Sequence, residues 1–383
     1  MPDVVVVGGG VVGASVAWHL ARSGLRDVLV LERGESPGEG STGRATGGFR
    51  AQFGTDVNVR LSLLAGEKLR RFGEEVGADP DYRPCGYLWL ARTEEELRAL
   101  RDAQDVQHAA GLAESRMVGT REIASLNPAA SLQDVAGGAF CPSDGFLRPL
   151  AVLSGYLDDA RRLGVRVRFG AEVVGLRQRA PDRIDAVRLH DEDIPCGTVV
   201  NAAGPWARAL AAMAGIDLPV TPLRRQVAST VACTVLPQTM PMTIWATDGF
   251  HLRVRDDRVL LLRPTAEAAG FSTRVDRSWI ANVQELARRR VPALAGIAID
   301  ESRCWAGLYE MSPDGHALLG PAPGCENLFL VNGSSGHGVM HAPALGALAA
   351  EWIVHGAARS LDARPLRASR FAEGEPIRGA SLL

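Results

Sequence analysis

The sequence predicts an α/β fold in which helices and strands are interleaved. Apolar residues recur at helical spacing in some segments and form short strand-like runs in others, and the two kinds alternate along the chain without an internal repeat. Within the first 32 residues the chain passes through a strand, a glycine-rich turn, a helix and a second strand. Its 383 residues exceed the size of one ordinary hydrophobic core, which favours about two domains.

The same periodicities locate the individual elements. Helices are predicted over 57–76, 93–110, 149–163, 205–214, 276–290 and 342–355. Strands are predicted over 86–91, 165–169, 172–177, 198–202, 250–254 and 258–263. We expect the last helix to begin near Pro343, because proline fits the first turn of a helix.

The composition is that of an ordinary globular protein, with 46% hydrophobic and 22% charged residues. A net charge of −2 with no long run of Lys or Arg argues against nucleic acid or an anionic membrane as a partner. No apolar run approaches the roughly 20 residues that a membrane span requires. The histidines and cysteines show no metal-ligand spacing, so no metal site is predicted.

The cysteines and the N-terminus bear on the cellular compartment. Six cysteines are scattered without a CxxC pair. Met1 leads directly into a strand, without the charged region and cleavage site of a secretory signal. These features predict reduced thiols and a cytoplasmic protein.

The turn after the first strand carries a nucleotide-binding pattern. Val4 to Val7 form an unbroken apolar run, as in a strand buried on both faces of a parallel sheet. Gly8, Gly10 and Gly13 follow in G-x-G-x-x-G spacing, and Glu32 ends the second strand about twenty residues later. This arrangement predicts a Rossmann-like site, with a pyrophosphate at the helix N-terminus and ribose hydroxyls on Glu32. The carboxylate disfavours NADP, whereas FAD and NAD both remain possible ligands of this motif.

Further segments of small residues also lead into helices. GEGSTGRATGGFRAQF, at 38–53, combines glycines with Arg44 and Arg50. TVVNAAGPWA, at 198–207, is typical of a strand, a tight turn and a helix that begins after Pro205. NGSSGHG, at 332–338, is a glycine-rich loop between a strand and the last helix. The chain therefore holds more such turns than one nucleotide requires.

Together these motifs resemble flavoproteins of the D-amino-acid oxidase superfamily, in the sarcosine oxidase and dimethylglycine dehydrogenase branch. The matching pieces, in the family's order, are VVVVGGGVVGASVAWHLA with Glu32, GSTGRATGGFR, TVVNAAGPWA and WAGLYEMSPDGHALLGPAPGCENLFLVNGSSGHGVMHAPALG. The resemblance implies a Rossmann-like FAD-binding domain built from residues 1–84, 149–220 and 306–383. It also implies an interleaved α+β substrate domain with an antiparallel sheet, built from 85–148 and 221–305.

The resemblance implies an extended FAD, with the adenine near Glu32 and a strand around Val173, and with the flavin ring between the 38–53 segment and the C-terminal loop. The residues expected at the cofactor are Gly8, Gly10, Val11, Val12, Gly13, Glu32, Arg33, Ser41, Thr42, Gly43, Arg44, Val173, Val174, Ala202, Ala203, Gly204, Trp206, Gly307, Gly333, Ser335, Gly336, His337 and Gly338. Gly307 stands where monomeric sarcosine oxidase has its flavin-linking cysteine, so we expect noncovalent FAD.

The resemblance also suggests which side chains meet the substrate. Arg50 aligns with a substrate-carboxylate arginine, and a planar guanidinium fork matches a carboxylate; a structural ion pair is the alternative. Tyr309 either hydrogen-bonds a carboxylate or packs as an aromatic, and it stands where a glycine-oxidising relative has an arginine. His337 either flanks the flavin ring or makes a structural hydrogen bond.

Two lysines of monomeric sarcosine oxidase are replaced in this chain. Met340 stands in place of one that binds the carboxylate, and His251 aligns with the one linked to oxygen activation. Losing the second cation favours a dehydrogenase, with an electron-acceptor partner, over an oxidase. Trp245 and Phe250 are interpreted as either cavity wall or plain core, and His316 as structural.

The implied reaction is oxidation of the C–N bond of a small amino acid, by hydride transfer to flavin N5 and hydrolysis of the imine by water. An N-alkylated or cyclic amino acid such as sarcosine, dimethylglycine or proline is the favoured substrate. The alternatives are a primary amino acid or a 2-hydroxy acid, a flavoprotein subunit of a larger complex, and a nucleotide-binding module without turnover.

Overall fold

The computed structural model describes residues 1–267 and 269–379. Its strands are β1 (Val4–Val7), β2 (Val28–Leu31), β3 (Gly48–Phe49), β4 (Tyr87–Ala91), β5 (Arg116–Val118), β6 (Gly137–Cys141), β7 (Gly145–Phe146), β8 (Arg166–Arg168), β9 (Gly175–Ala180), β10 (Arg183–Arg188), β11 (Asp193–Pro195), β12 (Thr198–Asn201), β13 (Thr221–Ser229), β14 (Met242–Trp245), β15 (His251–Arg255), β16 (Arg258–Leu262), β17 (Trp305–Met311), β18 (Leu318–Ala322) and β19 (Cys325–Asn332).

The helices are α1 (Val11–Arg22), α2 (Ser41–Arg44), α3 (Asp56–Arg70), α4 (Phe72–Glu75), α5 (Glu94–Ala109), α6 (Thr120–Leu126), α7 (Pro149–Arg162), α8 (Ala207–Ala212), α9 (Arg277–Arg290) and α10 (Gly338–His355). Short 3₁₀ turns lie at Gly204–Trp206, Pro292–Leu294, Glu301–Arg303, Arg364–Leu366 and Ala368–Phe371. Within the described residues, no helix combines the length and the apolar character that crossing a bilayer demands.

In the part of the chain that the structure describes, β1 lies inside a six-stranded sheet of order β18-β19-β12-β1-β2-β8. Its pairings are parallel except for β18 with β19. Val4 and Val6 face a core shared with α1, α3, α7 and α10, whereas Val5 and Val7 face another shared with α8 and β9 to β11. Because both faces of the strand are buried, β1 is an unbroken run of valines.

A second sheet, of eight strands among the described residues, has the order β17-β13-β16-β15-β14-β4-β6-β5. Its pairings are antiparallel except for β14 with β4. Leu88 and Leu90 of β4 face a core that contains Trp279 of α9, whereas Trp89 faces a smaller cluster with Leu100 of α5. The predicted α/β fold, with a mostly parallel sheet and a second, mostly antiparallel one, is confirmed.

The strands of the two sheets come from different parts of the chain. Those of the six-stranded sheet lie within 1–84, 149–220 and 306–383. Those of the eight-stranded sheet lie within 85–148 and 221–305, apart from β17, which continues to Met311. Strand membership alone does not define domains, so the predicted two-domain division remains a prediction.

Two element predictions were wrong in detail. The strand predicted over 172–177 forms instead as β9 (Gly175–Ala180), which belongs to a separate three-stranded sheet with β10 and β11, so Val173 and Val174 lie in the loop before it. The last helix begins at Gly338 rather than near Pro343, which lies inside α10. The glycines just before and at the start of α10 weaken the sequence signal for a helix there, because glycine is a poor helix former.

Candidate active site

One large cavity, of about 860 Å³, lies at the carboxyl ends of β1, β2 and β12 and extends to β13 and β17. Its wall includes the turns that follow β1, β2 and β12, residues 225–227 of β13 and residues 307–311 of β17. The carboxyl edge of a parallel sheet is the usual ligand site of α/β folds. The volume is within the range of about 300–1,000 Å³ found for small-molecule pockets.

The structure brings most of the predicted cofactor residues together on this wall. Those that line the cavity are Gly8, Gly10, Val11, Val12, Glu32, Arg33, Ser41, Thr42, Arg44, Val173, Ala202, Ala203, Gly204, Trp206, Gly307, Ser335, Gly336, His337 and Gly338. The residues predicted to meet the substrate also line it: Arg50, His251, Tyr309 and His337. Segments separated by hundreds of residues therefore converge on one space.

Four predicted residues do not reach the cavity wall: Gly13, Gly43, Val174 and Gly333. A Cβ added to Gly13 would lie 1.9 Å from the carbonyl oxygen of Gly8, and one on Gly43 would lie 2.1 Å from that of Gly38. Both glycines thus allow close packing just behind the cavity. Gly333 packs against Leu318, and Val174 is an exposed loop residue.

The turn between β1 and α1 is shaped by close backbone contacts. Gly8 has a φ of +109°, and a Cβ there would lie 2.3 Å from the carbonyl oxygen of Ala202, so only glycine fits. The N–H of Val11 donates to Oγ1 of Thr42 at 3.1 Å, which ties the start of α1 to α2. The N–H of Val11 is thus already used, whereas those of Val12 and Gly13, also in the first turn of α1, have no intrahelical acceptor and suit an anion.

The Glu32 carboxylate at the end of β2 is held by backbone donors. Its Oε2 accepts from the N–H of Gly9 at 2.7 Å, and its Oε1 accepts from the N–H of Gly34 at 2.8 Å. Each carboxylate oxygen keeps a further lone pair for another donor. Glu32 can therefore still accept hydrogen bonds from ribose hydroxyls, and this contact stays a prediction.

Three side chains of the cavity wall contact one another through the Trp206 ring. The Arg33 guanidinium lies 3.6 Å from the ring centre of Trp206, and that ring stacks on Phe271 with centres 5.4 Å apart and planes 19° apart. Phe271 is 51% exposed and also lines the cavity. Sequence reasoning missed Phe271, because no local motif links it to the other two residues.

The glycine-rich 38–53 segment docks on β17. Ser41 Oγ donates to the carbonyl oxygen of Leu308 at 2.7 Å, and the Arg44 guanidinium donates to that of Ala306 at 2.9 Å. Trp305 Nε1 returns a hydrogen bond to the carbonyl oxygen of Arg44 at 2.8 Å. Arg44 therefore fixes this segment in place at the cavity wall, in addition to the charge it contributes.

The cavity wall has no thiol at position 307, which is a glycine. A Cβ on Gly307 would lie 3.0 Å from Cβ of Arg44, so the wall is tight there. The Cys304 thiol donates to the carbonyl oxygen of Asp300 at 3.4 Å and does not line the cavity. The Cys304 side chain therefore points away from the cavity.

Arg50 is a buried residue of the cavity wall and lies beside His337. Its guanidinium donates to His337 Nε2 at 3.2 Å and lies 4.4 Å from the ring centre of Phe53. Since Nε2 accepts this bond, the imidazole is neutral and carries its proton on Nδ1. Burial and the neighbouring guanidinium hold the pKa of His337 well below its usual value, which keeps the ring an acceptor.

The backbone next to Arg50 is anchored by Asp144. Oδ1 of Asp144 accepts from the N–H of Ala51 at 2.6 Å, and Oδ2 accepts from Nε2 of Gln52 at 3.0 Å. Gln52 Nε2 also donates to the carbonyl oxygen of Tyr87 at 3.0 Å. Burial raises the pKa of Asp144 to about 7. Sequence reasoning missed Asp144, which lies 93 positions from Ala51.

Tyr309 and Gly336 meet across the cavity wall. A Cβ on Gly336, whose φ is +92°, would lie 2.3 Å from Cε2 of Tyr309, so glycine lets the ring pack on the C-terminal loop. Burial raises the pKa of Tyr309, so its phenol stays protonated and can donate a hydrogen bond.

His251 also lines the cavity as a neutral imidazole. Its Nδ1–H donates to the carbonyl oxygen of Gly249 at 2.7 Å, and burial lowers the pKa of His251 to about 4. His251 thus brings no positive charge to the cavity at neutral pH.

Three residues whose roles were uncertain from sequence belong to the core. Trp245 and Phe250 pack on each other in the core between the eight-stranded sheet and α9 and do not line the cavity. His316 is buried, donates from Nδ1 to the carbonyl oxygen of Asp314 at 2.6 Å and interacts through Nε2 with Thr55. The structural interpretation of all three is therefore confirmed.

Comparison with known proteins identifies the family. The family model described as "FAD dependent oxidoreductase" matches residues 3–352. The chain belongs to this family of FAD-dependent oxidoreductases. The predicted family and the FAD cofactor are confirmed, and the residues fit that cofactor, since the converging turns provide backbone donors, glycines at the closest approaches and a carboxylate.

The chain aligns with most of the length of some relatives and with less than half of others. It is 29% identical to FAD-dependent oxidoreductase domain-containing protein 1 of Xenopus laevis, over 98% of this chain and 83% of the relative. It is also 29% identical to mitochondrial dimethylglycine dehydrogenase of Rattus norvegicus, over 92% of this chain but only 43% of that protein. Among solved structures, L-proline dehydrogenase from P. horikoshii superposes with a TM-score of 0.91 at 27% identity, covering 98% of each chain.

Proposed function

We propose that this FAD-dependent oxidoreductase oxidises the C–N bond of a small amino acid, preferably a secondary or tertiary amine such as sarcosine, dimethylglycine or proline. The observation that carries the proposal is the buried guanidinium of Arg50 in the same cavity as the cofactor turns. Similar proteins named dimethylglycine dehydrogenase, sarcosine dehydrogenase and L-proline dehydrogenase support the substrate class.

Several of this chain's residues would hold the cofactor. The turn at Gly8 and the start of α1 would bind the diphosphate, and Glu32 would bind the adenosine ribose. When bound, FAD supplies a flavin ring that accepts a hydride at N5. We propose that FAD is held without a covalent bond, because Gly307 offers no thiol and Cys304 does not line the cavity.

Arg50 would bind the substrate carboxylate. A guanidinium forms two parallel hydrogen bonds with a carboxylate, and burial strengthens the pairing because little water screens it. The hydrogen bond to His337 and the Asp144 anchor of the adjoining backbone limit the positions that Arg50 can adopt. A fixed guanidinium would orient the amino acid before reaction.

The charges around the cavity would favour a neutral amine. Arg50 is cationic, while His337 and His251 are neutral imidazoles and Tyr309 is a neutral phenol. A positive group beside an ammonium lowers its pKa and favours release of a proton. The bound amine would then offer the lone pair that hydride loss from the adjoining carbon requires.

A dehydrogenase that passes electrons to a partner is favoured over an oxidase, because neutral His251 replaces a lysine linked to oxygen activation. A subunit role in a larger complex, and a primary amino acid or 2-hydroxy acid as substrate, remain the alternative proposals. We also propose a cytoplasmic location, which the free thiols of all six cysteines support.

Anaerobic mixing of the FAD-loaded protein with amino acids tests the proposal. N-methylated or cyclic amino acids should bleach the flavin absorbance, and the Arg50→Gln variant should bind them about tenfold to a hundredfold more weakly, the range for one lost charged hydrogen-bonded pair. Arg60→Gln, on the exposed side of α3, is the matched control and should behave as the wild type. Unchanged affinity in Arg50→Gln would refute the assignment.

A further inference from the structure

Arg225 is a further guanidinium on the cavity wall, in addition to those of Arg33, Arg44, Arg50 and Arg263. It lies on β13 directly opposite Gly307 of β17, and its guanidinium carbon is 5.5 Å from the ring centre of Tyr309. In an antiparallel pair, opposite residues share a face of the sheet. Arg225, Gly307 and Tyr309 therefore lie on one face of the sheet, where the Arg44 side chain packs over Gly307.

No carboxylate compensates this charge within the described residues. The hydrogen bonds of Arg225 go to carbonyl oxygens, those of Arg224 at 3.2 Å and Thr265 at 3.3 Å. Arg224, the next residue along β13, forms instead an ion pair with Glu267 at 2.5 Å and does not line the cavity. Two neighbouring arginines thus differ in that only Arg224 has an internal counter-ion.

Tyr309 connects the two cationic positions. Its buried phenol is influenced by the charges of both Arg225 and Arg50. Both guanidiniums therefore lie near the same ring in one cavity, and Coulomb attraction in such a partly buried space is stronger than in bulk water. A ligand with one carboxylate can form a bidentate pair with only one of them.

We propose that Arg225 forms a second anion subsite, so that the preferred substrate is an N-alkylated amino acid with an additional acidic group. Arg50 binds the α-carboxylate and Arg225 binds the other acid. The inference rests on the proposed function and leaves its amine chemistry unchanged, while it specifies the substrate class.

The test compares acids with their amides. FAD-loaded protein is titrated anaerobically with N-methyl-L-aspartate and N-methyl-L-glutamate, and with N-methyl-L-asparagine and N-methyl-L-glutamine, while the flavin spectrum reports both binding and bleaching. At least one acid should bind about tenfold to a hundredfold more tightly than its amide. Arg225→Gln should abolish this preference, and Arg224→Gln, with the same change of charge on the other face of β13, should retain it.

Each possible failure has a distinct meaning. Equal affinity for acid and amide in the wild type, a comparison that needs no variant, overturns the subsite. A preference that persists in Arg225→Gln overturns it too. If neither these compounds nor sarcosine and L-proline bleach the flavin, the proposed function fails, and the affinities still decide the subsite.

Discussion

The titration of Asp144, which anchors the segment that carries Arg50, predicts how the free energy of unfolding depends on pH. The Asp144 carboxyl group accepts hydrogen bonds from Ala51 and Gln52, yet burial raises its pKa from 3.8 to about 7. Between about pH 4 and pH 7 the folded protein therefore keeps a proton that the unfolded chain has released. The free energy of unfolding should fall as the pH rises through this window.

The size of the effect follows from the shift. A pKa difference of about three units on one group corresponds to about 4 kcal/mol across the window. Asp144→Asn removes the titration and keeps an oxygen opposite Ala51, although its amide leaves the Gln52 contact mismatched, at a cost of about 1–3 kcal/mol at every pH. The variant should thus be less stable at low pH but depend less on pH.

Urea unfolding of the FAD-saturated protein from pH 4.5 to pH 7.5 measures this dependence. The exposed Asp105→Asn on α5 is the control and should follow the wild-type profile. If the wild-type and Asp144→Asn profiles run parallel, Asp144 does not titrate as its burial implies, and the reasoning from that burial is wrong.

Three shorter predictions concern the cofactor. Gly8→Ala should abolish FAD binding, since its Cβ would lie 2.3 Å from the carbonyl oxygen of Ala202; purification of the variant with full FAD content would contradict this. Phe271→Ala removes one layer of the stack on Trp206 and should weaken FAD binding about fivefold, as measured by fluorescence titration, whereas unchanged affinity would exclude a role for the stack. Acid precipitation should release all FAD into the supernatant, because Gly307 provides no covalent link; flavin retained in the protein pellet would disprove this.

Local patterns were sufficient where one segment determines the structure. The valines of β1, the glycines after it and Glu32 are neighbours in sequence, and their spacing alone predicted the strand, the turn and the helix that the structure has. Such features can be predicted because the contacts that determine them lie within one βαβ unit or one loop.

Long-range contacts account for what the sequence did not reveal. Asp144 reaches Ala51 from another segment, and Phe271 reaches Trp206 from a loop without a motif. Arg225 was not singled out because its neighbour Arg224 is identical in type, and only the strand register shows which of the two faces the cavity. The register of β13 against β17 is a tertiary property, so no local periodicity predicts it.

The central claim is that a buried guanidinium binds an amino-acid carboxylate beside the flavin. Anaerobic titration of the FAD-loaded wild type with sarcosine and L-proline, and with sarcosinamide and L-prolinamide, tests it most directly. The account predicts that the acids bleach the flavin and bind at least about tenfold more tightly than the amides, which cannot form the charged pair. Equal binding of acids and amides, or a flavin that stays oxidised with all four, would contradict it.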